Sequence, residues 1–583
     1  MCGIVGYVGP REALPLLMTG LRRLEYRGYD SAGVAVQENG TLEVMRAEGK
    51  LDNLASVVSA HPAPGHTGIG HTRWATHGRP SEQNAHPHVD CGGVTAVIHN
   101  GIIENFEELK GPLVAKGHRF TSETDTEVVV HMLEDELKKG GSLEAAARAV
   151  LPRLEGAAAL VFISSKDPAK IVAARISNAG GVIIGYGENE NFIASDAPAL
   201  MEHTRLVSFL ENGEMAAKSG YQHFMLKEIH EQPRAINDTL LGRVDRSSGR
   251  VMFDENVKLT DEQVRALPRI TLVGCGTAGH ASLIGKILIE RLAGIPCDID
   301  IPSEYRYRDP VVTKGQLLVA ITQSGETADT LAAMEEARKR GARLMSVVNV
   351  MGSEASRVSD DVIYLHTGPE IAVASTKAYT AMLVDLYLFA IYLAQRRGTI
   401  DPDRSRRLLA EAFHLPTLID SVLREEPKIR ALAYRYHTSR NFLFLGRGVN
   451  YPTALEGALK LKELSYIHAE GTAAGEMKHG TNALIDEDLP VVAIALKDPV
   501  YKKIRSNMEE VRARAGVLIA IANDDDSEIA AKADDVIRIP KTDELLSPVL
   551  AVVPLQLLAY HIADRRGNDV DQPRNLAKAV TVE

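Results

Sequence analysis

The chain has 583 residues, of which 45% are hydrophobic and 25% are charged, and its formal net charge is −11. A single hydrophobic core rarely grows beyond ~250–300 residues, so this length predicts several domains. The negative charge, with no tract of lysine and arginine, argues against a nucleic-acid-binding protein. Four cysteines in so long a chain favour a reducing cytoplasm over a disulfide framework.

Neither a cleaved leader nor a membrane anchor is expected. No run of basic and then apolar residues precedes Cys2. The most apolar stretch, residues 379–394, carries Asp385 and is shorter than the ~20 residues that span a bilayer. We therefore predict a buried helix there.

Cys2 is the first residue with a chemical signal. If Met1 is removed, a thiol and a free α-amino group share one carbon, and the amine (pKa ~7.7–8) can act as a base for the sulfur (pKa ~8.5). Gly3 and Gly6 leave room around the thiol, and the residues between them begin a predicted strand. The plain alternative is a core cysteine that happens to follow the start codon.

Three further segments interrupt apolar runs that read as strands, such as residues 93–99. They are Arg73-Trp74-Ala75-Thr76-His77-Gly78, Asn100-Gly101 and Thr124-Asp125. Together with Cys2 they resemble the glutamine amidotransferases that use an N-terminal cysteine nucleophile. The resemblance implies an αββα amidase sandwich over residues 2–235.

The resemblance also gives each segment a role in glutamine hydrolysis. Arg73 would bind the α-carboxylate of glutamine and Asp125 its α-ammonium group. The Asn100 side chain and the Gly101 backbone N–H would form the oxyanion hole. The remaining residues of the glutamine pocket would be Trp74, Thr76 and His77. The alternatives are an ordinary surface ion pair and an ordinary turn.

A metal site is not expected among the clustered histidines. Seven of the nineteen histidines lie between His61 and His99, but their spacing is irregular. No Cys-x-x-Cys or His-Glu-x-x-His pattern accompanies them.

The second half of the chain repeats itself. Strand-like residues 269–273 and 441–445 both lead into a Gly-x-Gly loop. A shift of 172 residues aligns Gly274 with Gly446, Gly276 with Gly448, Gly285 with Gly457 and Glu304 with Glu476. Each copy reads as alternating strands and helices with continuous apolar strands, which predicts two parallel sheets flanked by helices.

The loops of the first copy favour a phosphate monoester over a dinucleotide. Residues 274–279 fit the dinucleotide fingerprint, but the second copy lacks the third glycine and no clear acid ends the second strand. That strand instead runs into Thr322-Gln323-Ser324-Gly325-Glu326-Thr327, which offers hydroxyls and bare amides. A Walker loop also fails, because Ile287 stands where a hydroxyl is needed.

This half resembles two tandem sugar isomerase (SIS) domains, with flavodoxin-like α/β sheets, over residues 260–400 and 430–573. The resemblance implies that the phosphate is held by Thr322, Gln323, Ser324 and Thr327. The sugar would be lined by Cys275, Gly276, Thr277, Val373, Ala374 and Ser375. The hydroxyls of Ser324 and Thr327 are also expected to cap the following helix.

The second copy carries titratable residues. Glu456, Lys460 and Glu463 fall at i, i+4 and i+7 and share one helix face, for which a solvated salt-bridge stripe is the ordinary explanation. His479 follows on a loop. The last residues, 574–583, form an apolar tail that contains Lys578.

An amidase joined to two SIS domains and this tail resembles the isomerising glutamine–fructose-6-phosphate aminotransferases over essentially the whole chain. The resemblance implies synthesis of glucosamine 6-phosphate, the first step of the hexosamine pathway to UDP-N-acetylglucosamine. Lys578 would form a Schiff base with the ketose, helped by partial desolvation that favours its neutral amine. Glu463 would move a proton between carbons, and His479, from its own or a neighbouring subunit, would open the ring. Glu456 and Lys460 would hold the sugar hydroxyls.

The resemblance further implies a cytoplasmic homodimer, without metal or organic cofactor, in which ammonia crosses a closed channel. Trp74, the only tryptophan, would gate that channel; the alternative is a plain core residue. Residues 236–259 are expected to be a linker. Three rivals fit less well: a phosphoribosyl-type amidotransferase, an asparagine-synthase-like enzyme and a sugar-phosphate-sensing regulator. The first two lack their phosphate loops, and the third would carry a basic helix-turn-helix.

Overall fold

The computed structural model describes residues 2–38, 40–75, 77–177, 181–187, 190–204, 207–210, 215–217, 223–253 and 256–578. By its contacts the chain divides into two compact units, residues 1–221 and residues 222–583.

In its described residues the first unit contains two antiparallel sheets. From edge to edge, the seven-stranded sheet consists of Val207–Phe209, Ile183–Gly187, Glu190–Ala194, Gly3–Val8, Thr67–Arg73, Ser31–Glu38 and Thr41–Glu48. The five-stranded sheet consists of Met215–Ala217, Val172–Ile176, Gly156–Ser164, Thr95–Ile103 and His88–Val89.

Amphipathic helices cover the outer faces of these sheets. Ala13–Leu24 and Leu51–Ala60 bury their leucines in one apolar core with the first sheet. The second sheet packs in another core against Phe106–Ala115, Glu127–Leu137 and Leu143–Val150. Single helical turns occur at Glu25–Arg27, Leu151–Arg153 and Ala197–Ala199. The predicted helix–sheet–sheet–helix sandwich is confirmed.

The second unit contains two five-stranded parallel sheets with the same strand order, 2-1-3-4-5. In this order, the first sheet is Cys297–Asp300, Ile270–Val273, Leu317–Thr322, Arg343–Val348 and Asp361–Tyr364. The second is His468–Ala473, Asn441–Gly446, Pro490–Ala495, Val517–Asn523 and Asp535–Ile539. This order is that of flavodoxin-like sheets, as the resemblance to SIS domains implied.

Helices surround and join the two sheets. They are Phe224–His230, Gln232–Leu240, Asp261–Ala266, Thr277–Ala293, Pro302–Tyr305, Ala328–Lys339, Glu354–Val358, Lys377–Arg397, Pro402–Leu423, Glu426–Tyr436, Tyr451–Ser465, Tyr501–Arg512 and Ser547–Arg565. Short helical turns lie at Gly448–Asn450, Ala474–His479, Thr481–Leu484, Ile529–Ala531 and Glu544–Leu546.

Among the residues that the structure describes, two helices are long and apolar enough to cross a membrane, Lys377–Arg397 and Glu544–Arg565. Their most apolar windows are 94% and 100% buried inside the protein, so both are core helices. The first contains the predicted buried helix at residues 379–394.

The segment expected to be a linker, residues 236–259, carries regular structure in its described part. Helix Gln232–Leu240 runs into it, and Val244–Asp245 pairs with Arg250–Val251. The buried Arg243 guanidinium donates to Asp385, whose pKa is raised to about 7 by burial against the opposing effect of Arg243. Arg243, one of the polar residues that suggested a linker, thus has a partner within the fold. The boundary between the two compact units lies between residues 221 and 222, before the predicted boundary at residue 235.

Candidate functional sites

Cys2 lies where the start of one strand meets the end of the neighbouring strand. It precedes strand Gly3–Val8, which pairs with Thr67–Arg73, and its Sγ accepts a hydrogen bond from the backbone N–H of Trp74 at 3.2 Å. Burial raises the pKa of the Cys2 thiol, and the Trp74 N–H and the Arg73 charge oppose that rise. The thiol is half-buried and its pKa is raised, so it needs a base to become a thiolate at neutral pH.

Asn100 is held in place from two sides. Its Nδ2 donates to the carbonyl oxygen of Cys2 at 3.1 Å, and its Oδ1 lies 2.9 Å from His71 Nε2. It sits inside strand Thr95–Ile103, opposite Ala159, so the alternative of an ordinary turn is wrong. The strand continues because its partner pairs with all nine of its residues.

His71 fixes the orientation of Asn100, a role that no sequence pattern indicated. The imidazole is fully buried, and its Nε2 faces two acceptors, Asn100 Oδ1 and the His99 carbonyl oxygen at 3.0 Å. Nε2 must therefore carry the hydrogen. Burial lowers the pKa of His71 to about 3, so the ring is neutral at physiological pH.

Gly101 has a backbone that only glycine adopts readily. Its φ is +130°, and an added Cβ would lie 1.9 Å from the Ala157 carbonyl oxygen. The residue after Asn100 thus approaches the neighbouring strand more closely than a side chain allows.

Arg73 and Asp125 are both buried in this region. The Arg73 guanidinium donates to the His77 carbonyl oxygen, and its Nη1 has no hydrogen-bond partner in the described part of the chain. Burial lowers the pKa of Arg73, against the charges of Cys2 and Asp125. Asp125 accepts the N–H of Ile103 at 2.8 Å. A buried cation with an unused donor suits a carboxylate ligand.

The other three predicted glutamine residues differ in exposure. Trp74 is 47% exposed, with its ring edge-on to Tyr29 at 5.8 Å, so the core-residue alternative is wrong. His77 is half-buried, with its ring centroid 5.5 Å from that of Phe106. Thr76 lies outside the described residues.

The hydroxyl-rich loop after strand Leu317–Thr322 is tightly wound. Thr322 Oγ1 accepts the N–H of Gly325 at 3.1 Å, and Ser324 Oγ accepts that of Glu326 at 3.2 Å. Gly325 has a φ of +71°, and an added Cβ would lie 2.2 Å from Ser353 Oγ. The predicted capping by Thr327 is wrong: Thr327 occupies the N-cap of the next helix, but its side chain makes no capping bond.

This loop has the geometry of an anion site. It joins the carboxyl end of a parallel strand to the N-terminus of helix Ala328–Lys339, where backbone N–H groups and the helix dipole favour negative charge. Gln323 is half-buried in the same turn, and its carbonyl oxygen accepts the N–H of Asn349 at 3.2 Å. The Thr327 hydroxyl, which caps nothing, lies in the same loop.

Two further loops lie near this edge. After strand Ile270–Val273, Cys275 Sγ lies 3.6 Å from Thr330 Oγ1, and Gly276 turns the chain with a φ of +53°. In the second loop, the Val373 N–H donates to the Asp571 carbonyl oxygen at 3.0 Å. Ser375 Oγ is buried there without a hydrogen-bond partner in the described part.

Glu456, Lys460 and Glu463 form a buried network instead of a solvated stripe. Glu456 and Lys460 are 0% and 1% exposed, and Lys460 Nζ lies 3.4 Å from Glu456 and 2.6 Å from Glu463. Glu456 also accepts the Thr277 hydroxyl at 3.0 Å and contacts His280 Nδ1 at 2.7 Å. This face of helix Tyr451–Ser465 is therefore directed at the loop and helix that follow strand Ile270–Val273 of the first sheet.

The charges of this network are stabilised by one another. Burial opposes the ionisation of Glu456, but Lys460 and His280 outweigh it and hold the pKa of Glu456 below its usual value. Burial likewise disfavours the Lys460 ammonium, and Glu463 and Glu456 outweigh it, so that the pKa of Lys460 is raised.

Lys578 is anchored by a carboxylate that sequence reasoning missed. Its Nζ donates to Glu370 Oε2 at 2.6 Å and to the Ala372 carbonyl oxygen at 2.8 Å, beside the loop of Val373 and Ser375. Burial opposes the ionisation of Glu370, but Lys578 outweighs it and keeps its pKa low. The only available signal was an acid shortly before that loop.

A second buried carboxyl group, that of Glu228, lies close enough to Glu370 to be affected by its charge. Burial and the Glu370 charge raise the pKa of Glu228 to about 8, which leaves Glu228 protonated at neutral pH. His479, in contrast, is exposed at the end of the turn Ala474–His479. Within the described residues, no hydrogen bond or ion pair joins His479 to Lys578 or Glu463.

Comparison with protein families gives two matches. Residues 265–392 and residues 436–563 each match the SIS domain. Residues 71–202 match a glutamine amidotransferase domain.

Named relatives match along the whole chain. Two aminotransferases, each named glutamine–fructose-6-phosphate aminotransferase [isomerizing], come from Thermus thermophilus and Symbiobacterium thermophilum. They are 51% and 50% identical to this chain over 614 aligned positions, covering 100% of both sequences. A relative of the same name from Streptomyces coelicolor is 48% identical, again over 100% of both chains.

Solved structures resemble the second half. The C-terminal domain of glucosamine-fructose-6-phosphate aminotransferase from Francisella tularensis is 39% identical, with a TM-score of 0.58, and covers 61% of this chain and 100% of its own. A putative tagatose-6-phosphate ketose/aldose isomerase from Clostridium novyi has a TM-score of 0.52 at 16% identity, which shows the fold alone.

Proposed function

Because this chain belongs to the family of isomerising glutamine–fructose-6-phosphate aminotransferases, we propose that it converts fructose 6-phosphate and glutamine to glucosamine 6-phosphate and glutamate. The observation that carries this is 51% identity over the full length of a relative of that name. The geometry supports it, since one chain holds a cysteine beside an oriented amide and a lysine held by Glu370 beside the loop of Val373 and Ser375.

In the first unit, Cys2 acts as the nucleophile. After removal of Met1, the α-amino group of Cys2 takes the thiol proton, and the thiolate attacks the glutamine carboxamide. Asn100 Nδ2 and the Gly101 N–H stabilise the oxyanion, and ammonia leaves. Water then releases glutamate from the thioester. Arg73 and Asp125 hold the α-carboxylate and the α-ammonium group of glutamine, beside Trp74, Thr76 and His77.

In the second unit, the phosphate is bound by the loop of Thr322, Gln323, Ser324 and Thr327. The residues that line the sugar are Cys275, Gly276, Thr277, Val373 and Ser375. Lys578 attacks the ketose carbonyl as a neutral amine, so Glu370 accepts its proton or moves away before the reaction. Water leaves as the Schiff base forms, ammonia then adds to the same carbon and displaces Lys578, and Glu463 transfers a proton between adjacent carbons of the resulting imine. Lys460 and Glu456 orient Glu463 and the sugar hydroxyls.

Ammonia has to pass from one site to the other without entering bulk water, where protonation would make it unreactive. We assign Trp74 to the gate of this path, because its backbone N–H lies 3.2 Å from Cys2 Sγ and its indole is half-exposed. We also place the enzyme in the cytoplasm.

The reaction itself is tested by mass detection of the aminosugar after incubation with both substrates. Cys2→Ala should abolish glutamine hydrolysis but keep synthesis from high ammonium, whereas Cys297→Ala, in the second unit, should keep both. Lys578→Ala should hydrolyse glutamine and make no aminosugar, whereas Lys462→Ala, exposed on the second copy, should make it. Wild-type protein that makes no aminosugar, or borohydride trapping of the ketose on another lysine, would contradict the proposal.

We further propose a homodimer in which His479 completes the sugar site of the other subunit. The support is the exposure of His479 and its lack of contact with the Lys578 cluster in the described chain. Mixing inactive His479→Ala and Lys578→Ala proteins should then restore about a quarter of the activity, since half of the dimers are mixed and each has one intact site. Mixing Lys578→Ala with Glu463→Ala should restore none. No recovery in the first mixture would place His479 in its own subunit's site or outside catalysis.

A further inference from the structure

Four side chains with metal-binding atoms converge in the first unit, and none of them belongs to the glutamine site. They are Cys91, His118, His131 and Glu134, whose ligand atoms all lie within 4.8 Å of one another. Three separate segments supply them: the turn before strand Thr95–Ile103, the chain after helix Phe106–Ala115, and helix Glu127–Leu137. His118 and His131 come after the histidine-rich stretch of residues 61–99 and lie on other segments of the chain. Sequence spacing therefore did not reveal the cluster.

The distances fit a tetrahedral site. Cys91 Sγ lies 3.8 Å from His118 Nδ1 and 3.7 Å from His131 Nδ1. Glu134 Oε2 lies 3.0 Å from the first of these nitrogens and 3.3 Å from the second. A tetrahedron with Zn–S of ~2.3 Å and Zn–N or Zn–O of ~2.0–2.1 Å has S–N edges of about 3.6 Å and N–O edges of about 3.3 Å. These four distances are within a few tenths of an ångström of the tetrahedral edges, and the other two are at most 4.8 Å.

The surroundings of the four ligands resemble the outer shell of metal sites. His118 turns its Nε2 to Asp135 Oδ1 at 2.9 Å, whereas Glu127 Oε1 lies 3.7 Å from His131 Nε2, beyond hydrogen-bond distance. A carboxylate in the position of Asp135 orients an imidazole ligand and fixes its tautomer. The Arg119 N–H points at Cys91 Sγ at 3.4 Å, as a donor to a thiolate would.

The charges also balance. A thiolate and a carboxylate together neutralise a divalent cation, and the two imidazoles remain neutral. The mixed S, N and O donor set suits a borderline ion such as zinc better than calcium or magnesium, which prefer oxygen alone. Both histidines are buried, at 3% and 1% side-chain exposure, whereas Cys91 is exposed and gives a route of entry.

We propose that Cys91, His118, His131 and Glu134 bind one zinc ion that joins the three segments. Four protein ligands leave no open position, so the ion is structural. It would hold helix Glu127–Leu137, which begins two residues after Asp125, to the hairpin that contains Asn100. The metal therefore stabilises the glutamine half without taking part in its chemistry.

The first experiment measures metal content in untagged full-length protein that is loaded with zinc and then freed of excess ion. We expect about one zinc per chain in the wild type, less than a tenth of that in Cys91→Ser and His118→Gln, and no loss in His61→Gln, an exposed histidine of the same unit. Wild-type protein without zinc, or Cys91→Ser with a full equivalent, would overturn the site. In the first case the four groups form only a hydrogen-bonded histidine–carboxylate network.

Cobalt tests the ligand set directly. The Co²⁺-loaded wild type should show a thiolate-to-cobalt charge-transfer band that Cys91→Ser removes while folding as before, because Cys91 is exposed. Asp135→Asn should weaken zinc binding about 10–100-fold in competition with a chelator. A cobalt spectrum without the thiolate band would refute coordination by Cys91.

Discussion

Replacing His71 tests whether it positions the oxyanion donor. In the folded chain its Nε2–H reaches Asn100 Oδ1 at 2.9 Å, and Asn100 Nδ2 then points to Cys2. His71→Leu removes that donor, so the Asn100 amide can rotate and present its oxygen to the site. We expect kcat for glutamine hydrolysis to fall by at least about tenfold, the ~1.4 kcal/mol of one orienting hydrogen bond, and at most by the ~10²–10³ of a lost oxyanion donor.

The size and type of the change separate positioning from general destabilisation. KM for glutamine should stay within about twofold, because Arg73 and Asp125 are not touched. His71→Gln should recover most of kcat, since its amide N–H can donate to Asn100. His88→Leu is the matched control: His88 is equally buried but contacts Thr124, at 2.9 Å.

The assay is steady-state glutaminase kinetics together with the melting temperature of each variant. If His71→Leu keeps the wild-type kcat, or if His88→Leu loses as much, the assignment of His71 as a positioning residue is refuted.

Three more outcomes are expected. His71 and His88 have pKa values of about 3 in the fold and ~6.5 in the unfolded chain, so the unfolded chain binds more protons as pH falls below 6.5. Each histidine should therefore lower the free energy of unfolding by about 2 kcal/mol at pH 5, measured by Trp74 fluorescence in urea. An unfolding free energy that does not change between pH 7 and 5 would contradict this. Gly101→Ala should lower glutaminase turnover more than ~100-fold, because the added Cβ would lie 1.9 Å from a carbonyl oxygen, while ammonium-dependent synthesis persists. Arg243→Met should cost about 3–5 kcal/mol of unfolding free energy by leaving Asp385 unpaired, and Arg243→Met with Asp385→Leu should recover most of it in calorimetry.

The repeated strand–loop–helix pattern could be read from the sequence because it is local. The glycines after residues 273 and 445, and the hydroxyls after residue 321, stand within a few positions of the strands that they end. Two parallel sheets flanked by helices followed from this repeated pattern, and the structure supplied their strand order. Asn100 was harder, since Asn-Gly predicts a turn by local rules, and only the long partner strand Gly156–Ser164 keeps it extended.

The sequence by itself determined the two kinds of domain, and it supplied most of the residues that we propose to touch substrates. Only the tertiary structure decided which polar groups face one another: His71 with Asn100, Glu370 with Lys578, and Cys91 with two histidines. Periodicity reports which face of an element is apolar, over a few turns of chain. A partner 29 or 208 residues away is set by how the chain returns to the same place, and no local pattern carries that information.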